Sequence, residues 1–274
     1  MISLAELRRA SARVGLGLAQ AEHEYALLCV LDGLAQTSPL NETFCPKGGT
    51  ALRLLYFADW RHSVDLDFSV LPAFPEAALR EGLERWVTRV EGLHGLRIRL
   101  RDFHRPNGSA RVRAQFVGPL GHPNRLLLDI TLDERVLLPL ERHPVLTGLF
   151  SRPSPQVLTY ALAEILAEKM RAILERGKAR DYYDVWRLLK EKSAAFDSAT
   201  VYATLLAKCA CKGLPQPSIE LFFSAPILAQ AQAYWVNDLA DQVKPNLLPP
   251  WEQVVTGLGP LLADLLRGTR RDPL

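Results

Sequence analysis

The sequence predicts an α+β fold: a mixed sheet flanked by helices, followed by a helical C-terminal region. Three observations carry this reading. Residues 61–68 (R-H-S-V-D-L-D-F) alternate polar and apolar side chains with the period of a strand. Residues 95–103 (G-L-R-I-R-L-R-D-F) and 110–116 do the same on either side of an Asn107-Gly108 turn dipeptide, which predicts an antiparallel hairpin. Beyond the stretch 143–156, rich in proline, serine and glycine, apolar residues instead recur at helical three- and four-residue steps.

The elements follow in order. Leu4, Leu7, Val14 and Leu18, then Tyr25, Leu28 and Leu31, fall at helical intervals and predict two scaffold helices over residues 3–35. A Gly48-Gly49 turn precedes the 61–68 strand. Residues 75–93 read as a helix, with Pro75 in its first turn and a glycine near its end. The hairpin comes next, and then a strand over 125–131 (R-L-L-L-D-I-T). Pro144, Pro153 and Pro155 mark the boundary between a core domain, 1–150, and a helical C-terminal domain, 151–274. A helix over 161–176 and another opening at Asp181 lead into that second part.

Composition narrows the class. With 274 residues, 48% of them hydrophobic, the chain has material for a substantial core in one or two domains. No apolar run reaches the roughly eighteen residues of a membrane span, and the N-terminus M-I-S-L-A-E-L-R-R lacks the layout of a signal peptide, so a cytoplasmic location is expected. Cys29, Cys45, Cys209 and Cys211 lack the spaced partners of a zinc site and read as reduced thiols. A net charge of +3 does not by itself mark a nucleic-acid binder.

The chemistry sits in residues 47–68. In a strand, Asp65 and Asp67 point the same way while Leu66 and Phe68 point into the core. Two carboxylates on one surface bind a hard cation, Mg²⁺ or Mn²⁺, which is usually shared with substrate phosphates. Gly48 and Gly49 allow a sharp turn whose backbone N–H groups, with the Thr50 hydroxyl, approach a phosphate. Lys47, just before them, either joins the phosphates or faces solvent. Asp129 interrupts an apolar run, where a lone charge is costly unless paired or metal-bound, and it is the third carboxylate of this reading. A metal and a triphosphate on one strand describe a nucleotidyltransferase.

Two further sets of residues stay open from spacing alone. Arg97, Arg99, Arg101, Arg111 and Arg113 share one hairpin face, which is either solvated among scattered acids or a platform for phosphates of RNA or of the triphosphate. Lys169 lies on the apolar stripe of Leu162, Ile165 and Ile173, where a lysine ordinarily snorkels, and Arg176 follows seven residues later.

At K-G-G-T-A-L-R followed by R-H-S-V-D-L-D-F the chain resembles the first signature of the AbiEii/AbiGii-type toxin nucleotidyltransferases, which include the MenT toxins. Residues 163–188 (A-E-I-L-A-E-K-M-R-A-I-L-E-R-G-K-A-R-D-Y-Y-D-V-W-R-L) are similar to the family's E-K-x-x-A-x-x-x-R followed by R-D-x-x-D. The two blocks and the Asp129 strand span about half of the chain. One departure is the fifteen residues between Gly49 and Asp65, longer than the compact spacing of many polymerase-β-type enzymes.

The resemblance implies a polymerase-β-type core that transfers a nucleotide from a nucleoside triphosphate to an RNA acceptor. In characterised relatives that acceptor is the 3′ end of tRNA, and the transfer blocks translation. It also implies a cognate antitoxin partner. It makes Lys169 and Asp181 catalytic candidates, with Lys169 and Arg176 on the phosphates, Asp181 orienting Lys169 or Arg180, and Arg61 and Ser63 near the phosphates. Asp184 is then structural, and the C-terminal domain completes the cleft. The competing readings are a small-molecule, antibiotic-modifying nucleotidyltransferase, which the second block disfavours, and a catalytically silent nucleotide- or RNA-binding protein, which the intact acidic residues disfavour.

Overall fold

A computed structural model describes residues 1–267 other than 73, 107, 151 and 153, so Asn107 of the expected turn and Pro153 of the expected boundary lie outside the described residues. The chain forms two compact units, Met1–Glu134 with Leu140–Thr159, and Arg135–Pro139 with Tyr160–Leu274. No described helix is long and apolar enough to cross a membrane.

The first unit opens with α1 (Leu4–Val14) and α2 (Leu18–Ala35). Ser3 and Glu6 form a capping box at the start of α1, which satisfies N–H groups that the helix cannot pair internally. A short α3 (Leu40–Thr43) leads into β1 (Phe44–Lys47), and α4 (Gly48–Ala51) continues as a π-helical turn over Leu52–Tyr56. After β2 (Asp65–Val70), a 3₁₀ turn at Glu76–Ala78 starts α5 (Leu79–His94), which ends on Gly95 in the left-handed region. The strands β3 (Arg97–His104), β4 (Ser109–Val117) and β5 (Pro123–Thr131) complete the main sheet.

The sheet is mixed, in the order β1-β2-β5-β4-β3, with β2 and β5 parallel and the remaining neighbours antiparallel. Leu66, Phe68, Leu126, Leu128, Ile130, Val112 and Phe116 are buried on one face. Trp86 of α5 packs edge-on against Phe68 with 5.5 Å between ring centroids, and its indole N–H donates to the Val30 carbonyl of α2 at 2.9 Å. Because the side-chain period of a strand is two, covering this face with helices leaves the alternate residues, including both aspartates of D-x-D, on the other.

The stretch that composition marks as a linker is instead structured within the first unit. β6 (Glu141–Pro144) and β7 (Gln156–Thr159) pair antiparallel, and the Thr159 hydroxyl donates to the Pro46 carbonyl of β1 at 2.7 Å. Pro144 ends β6 and Pro155 immediately precedes β7, positions at which a strand tolerates a residue without an N–H.

The second unit is helical: α6 (Leu162–Arg176), α7 (Ala179–Glu191), α8 (Ser198–Cys211), α9 (Ile219–Phe222), α10 (Ala225–Leu239) and α11 (Trp251–Arg267). Its core holds tilted and edge-on rings of Tyr182, Tyr183, Trp235 and Trp251, together with two buried ionic groups. In the first group Glu164 accepts backbone N–H bonds from Leu137 at 2.9 Å and Leu138 at 2.8 Å, and Lys208 of α8 lies 2.8 Å from its other side. Lys208 also donates to the Arg135 carbonyl at 3.0 Å and lies over the Tyr160 ring. These bonds attach the segment Arg135–Pro139 to α6 and α8.

The second group gives the Lys169 ammonium buried acidic partners, where spacing alone left it open between a snorkelling side chain and a site residue. Its ammonium lies 2.8 Å from Asp181 and 2.9 Å from Asp184, both fully buried on α7, and Arg176 reaches Asp181 at 3.2 Å. The tight turn after α6 brings the acids at i+12 and i+15 alongside the lysine. Asp181 is no helix cap, since α7 starts at Ala179 with Lys178 in the cap position. Burial alone would push the Asp181 carboxyl up, but Lys169 and Arg176 outweigh it and hold this group below the ordinary carboxylate range. A depressed pKa contributes stability at neutral pH that is lost as the pH falls below about 4.

Removing one partner from a buried ion pair leaves a charge uncompensated, at a cost of about 3–5 kcal/mol. Lys169→Met and Lys208→Met are therefore each expected to lower the melting temperature by roughly 10 °C, at about 2–4 °C per kcal/mol for a chain of this size. The double variant Lys169→Met/Asp184→Asn should recover part of the loss. A thermal melt showing Lys169→Met as stable as the parent would remove the ion cluster from the core's energetics.

Candidate active site

One row of side chains runs across the outer face of the main sheet. Strand pairing sets Lys47 opposite Asp67, Asp67 opposite Asp129, Asp129 opposite Arg111, and Arg111 opposite His104. Asp65 shares this face one step away, opposite Leu127, which in turn faces Arg113. Lys47 is buried at 7% exposure rather than solvated, and the two aspartates of β2 are half-buried.

The glycine turn is built against this row. Gly48 has φ +66°, a left-handed conformation that L side chains rarely adopt, and a Cβ placed there would lie 2.7 Å from Asp67 Oδ2. A Cβ on Gly49 would lie 2.8 Å from an Arg61 guanidinium nitrogen and 3.1 Å from Ser63 Oγ. The two glycines thus hold the turn in contact with a carboxylate on one side and a guanidinium and hydroxyl on the other. Thr50 donates its hydroxyl to the Asp65 carbonyl, which closes the long connection onto the strand. The fifteen residues between Gly49 and Asp65 are taken up by the rest of α4, the π-helical turn and a loop, so the extra length does not separate the turn from the aspartates.

Asp129 occupies the predicted place beside Asp67, but with a partner that sequence spacing does not reveal. Arg111 Nε donates to Asp129 Oδ1 at 2.7 Å, and this hydrogen bond, with the fields of Asp65 and Asp67, raises the pKa of the guanidinium. Among the described residues no three His, Cys, Asp or Glu side chains are gathered as a metal-binding group. The donors that are present, Asp65 and Asp67 with Asp129 adjacent, fit a magnesium ion shared with phosphates, which needs only one or two protein carboxylates.

The arginines of the hairpin follow the predicted pattern with one irregularity. Arg97 and Arg99 are exposed opposite Val117 and Gln115. The register shifts between Leu100 and Phe103, where Arg101 donates to the Gln115 side chain at 2.6 Å and Asp102 lies 3.4 Å from Arg113. Scattered acids therefore offset Arg111 and Arg113.

Lys169, Asp181 and Arg176, the remaining predicted site residues, are brought together in the second unit as the ion cluster described above, with Arg176 45% exposed. Asp181 accepts from Lys169 at 2.8 Å and also meets Arg176, and Asp184 shares the lysine.

Four residues near the site were not identified from sequence. His23 of α2 is in the field of Asp65, yet burial outweighs that attraction and pushes its imidazole pKa down, so the ring is neutral at pH 7. Glu24 lies 2.9 Å from Arg53 and 2.8 Å from His62 Nδ1. Burial would push the Glu24 carboxyl up, but His62 and Arg53 hold it low and ionised. The available signal was Glu24 itself, a charge that stands with Glu22 and His23 just before the apolar run of α2.

The profile of the family described as nucleotidyl transferase AbiEii toxin, type IV toxin–antitoxin system, matches residues 30–257. Among solved structures the chain is similar to MenT4, a nucleotidyltransferase toxin from Mycobacterium tuberculosis H37Rv, with a TM-score of 0.70 and 19% identity, covering 99% of this chain and 94% of that one. No curated protein matches. The structural likeness is one of fold, while the profile spans the glycine turn, the D-x-D strand, Asp129 and the Lys169–Asp181 block alike. The chain belongs to the AbiEii family of nucleotidyltransferase toxins, the toxin component of type IV toxin–antitoxin systems.

Proposed function

We propose that this protein uses Mg²⁺ to transfer a nucleoside monophosphate from a nucleoside triphosphate to an RNA, with the 3′ end of tRNA as the acceptor, and so blocks translation until its antitoxin intervenes. The observation that carries the reading is the contact of the Gly48-Gly49 turn with Asp67 on one side and with Arg61 and Ser63 on the other. It puts phosphate-binding groups and metal-binding groups within one side chain's length.

The residues divide the work. Gly48 and Gly49 offer backbone N–H groups with no side chain in the way, and Arg61, Ser63 and Lys47 add donors for the triphosphate. Asp65 and Asp67, with Asp129 beside them, would hold the metal, which supplies charge neutralisation at the α-phosphate and a lowered pKa for the attacking hydroxyl. In the net reaction the acceptor oxygen bonds the α-phosphorus, the bond from that phosphorus to the bridging oxygen breaks, and pyrophosphate and one proton leave. Arg97 and Arg99, on the same sheet face as the aspartates, would receive phosphates of the RNA. The tRNA assignment rests on the family resemblance.

Incubating the protein with each labelled triphosphate, Mg²⁺ and total RNA tests the reading, and label is expected in a tRNA-sized band. Asp67→Asn, nearly isosteric, should abolish transfer with the melting temperature unchanged, because it removes charge without altering volume. Turnover in that variant would eliminate Asp67 as a ligand.

The arginine platform is best tested away from Arg111, which is bonded to Asp129. Arg97→Glu/Arg99→Glu should weaken RNA binding and flatten its salt dependence, by roughly 0.7 in the log–log slope for each single-strand phosphate no longer neutralised, with triphosphate affinity unchanged. Unaltered RNA affinity would identify a merely solvated face.

A further inference from the structure

The loop that carries Arg61 and Ser63 meets the glycine turn, and a buried carboxylate is bonded to it. Residues 57–64 lie outside the sheet ladder, between the π-helical turn and β2. Glu24, at the inner surface of α2, grips this loop at two points. Its carboxylate takes the Arg53 guanidinium at 2.9 and 3.3 Å, and the same guanidinium donates to the Ala58 carbonyl at the loop's start. It also takes His62 Nδ1 at 2.8 Å near the loop's end. An ionised carboxylate only accepts, so Nδ1 carries the proton whatever the charge of the ring.

His62 lies between the two residues at issue. Arg61 and Ser63 are its chain neighbours, and both occupy the space that a Cβ on Gly49 would need. Arg61 additionally donates to the His62 carbonyl at 3.1 Å. Fixing the imidazole therefore fixes the backbone from which the guanidinium and the hydroxyl project. Glu24 is 6% exposed and both of its partners are mostly shielded, so these contacts act in a low-dielectric setting where geometry is held tightly.

We infer that Glu24, through Arg53 and His62, is a positioning clamp for nucleoside triphosphate binding: it holds Arg61 and Ser63 against the Gly48-Gly49 turn without touching the substrate. The inference rests on the proposed role of Arg61 and Ser63 as phosphate contacts. It places the N-terminal helix α2 in the binding apparatus rather than in the scaffold.

Glu24→Gln removes the buried charge that Arg53 is paired with and risks unfolding, so the test centres on His62, whose side chain is partly exposed. The full chain is titrated calorimetrically with ATP, GTP, CTP and UTP in turn in the presence of Mg²⁺, and the tightest binder is used for the variants. His62→Ala is expected to raise Kd for that triphosphate about tenfold, with the melting temperature and the transfer rate at saturating triphosphate unchanged, the pattern of a disturbed binding geometry rather than impaired chemistry. His62→Asn, whose side-chain amide can replace the Nδ1–H donor, should restore binding.

Arg61→Gln separates the failures. If it weakens triphosphate binding and His62→Ala does not, the clamp is overturned while the phosphate site stands. If neither variant weakens binding, the phosphate role of Arg61 is overturned and the clamp with it. A His62→Ala protein that loses binding and thermal stability together, with no rescue by asparagine, assigns His62 to the structure alone and overturns the proposal.

Discussion

The pairing register of β2 against β1 and β5 decides everything that the outer face of the sheet can do. A strand shifted by one residue exchanges its faces, which would bury Asp65 and Asp67 and expose Leu66 and Phe68. The edge-on contact of Phe68 with Trp86 makes such a slip costly, since it would trade a buried aromatic pair for two unpaired carboxylates. The apolar side of β2 thus holds the acids in place, and the same register sets Lys47 and Asp129 beside Asp67. From this row follow the fit of the glycine turn and the position of the hairpin arginines.

Charge is handled differently in the two units. On the sheet face Lys47, Asp67, Asp129 and Arg111 stand side by side on neighbouring strands, from the buried lysine through half-buried aspartates to the exposed arginine. In the helical unit Glu164 with Lys208, and Lys169 with Asp181 and Asp184, are sealed away and matched to each other. Buried pairs of this kind favour a particular arrangement of helices more than they add stability, because desolvation offsets most of the attraction. Asp181 and Lys169 are therefore parts of one preorganised unit, and Arg176 is its exposed member.

Strand and helix periodicity made much of this legible in the sequence. The two N-terminal helices, the helix after Pro75, the arginine hairpin, the Asp129 strand and the common face of Asp65 and Asp67 all follow from local pattern, and local pattern is what the backbone obeys. Partner choice was less legible. Arg111 with Asp129, and Glu24 with Arg53 and His62, join residues far apart in the chain, and neither spacing nor composition records which acid meets which base. The bulge beside Asp102 was hidden for the same reason, as an extra residue in a strand shows only against its neighbour. The ribbon of β6 and β7 was masked by its prolines, which mimic a linker when its hydrogen bonds are out of view.

The order in which the sheet is made carries a consequence for when the row across its outer face is complete. β5 lies at the centre of the sheet, between β2 and β4, yet it is the last of the five strands to be synthesised. Until it inserts, Asp67 has no parallel neighbour and the row from Lys47 to His104 is split in two. Closing that gap joins β2 to a strand about 60 residues downstream, a non-local step of the kind that slows folding. A nascent chain that already carries the glycine turn and both aspartates of β2 is thus still without the full row, and the proposed site is complete only when its central strand docks.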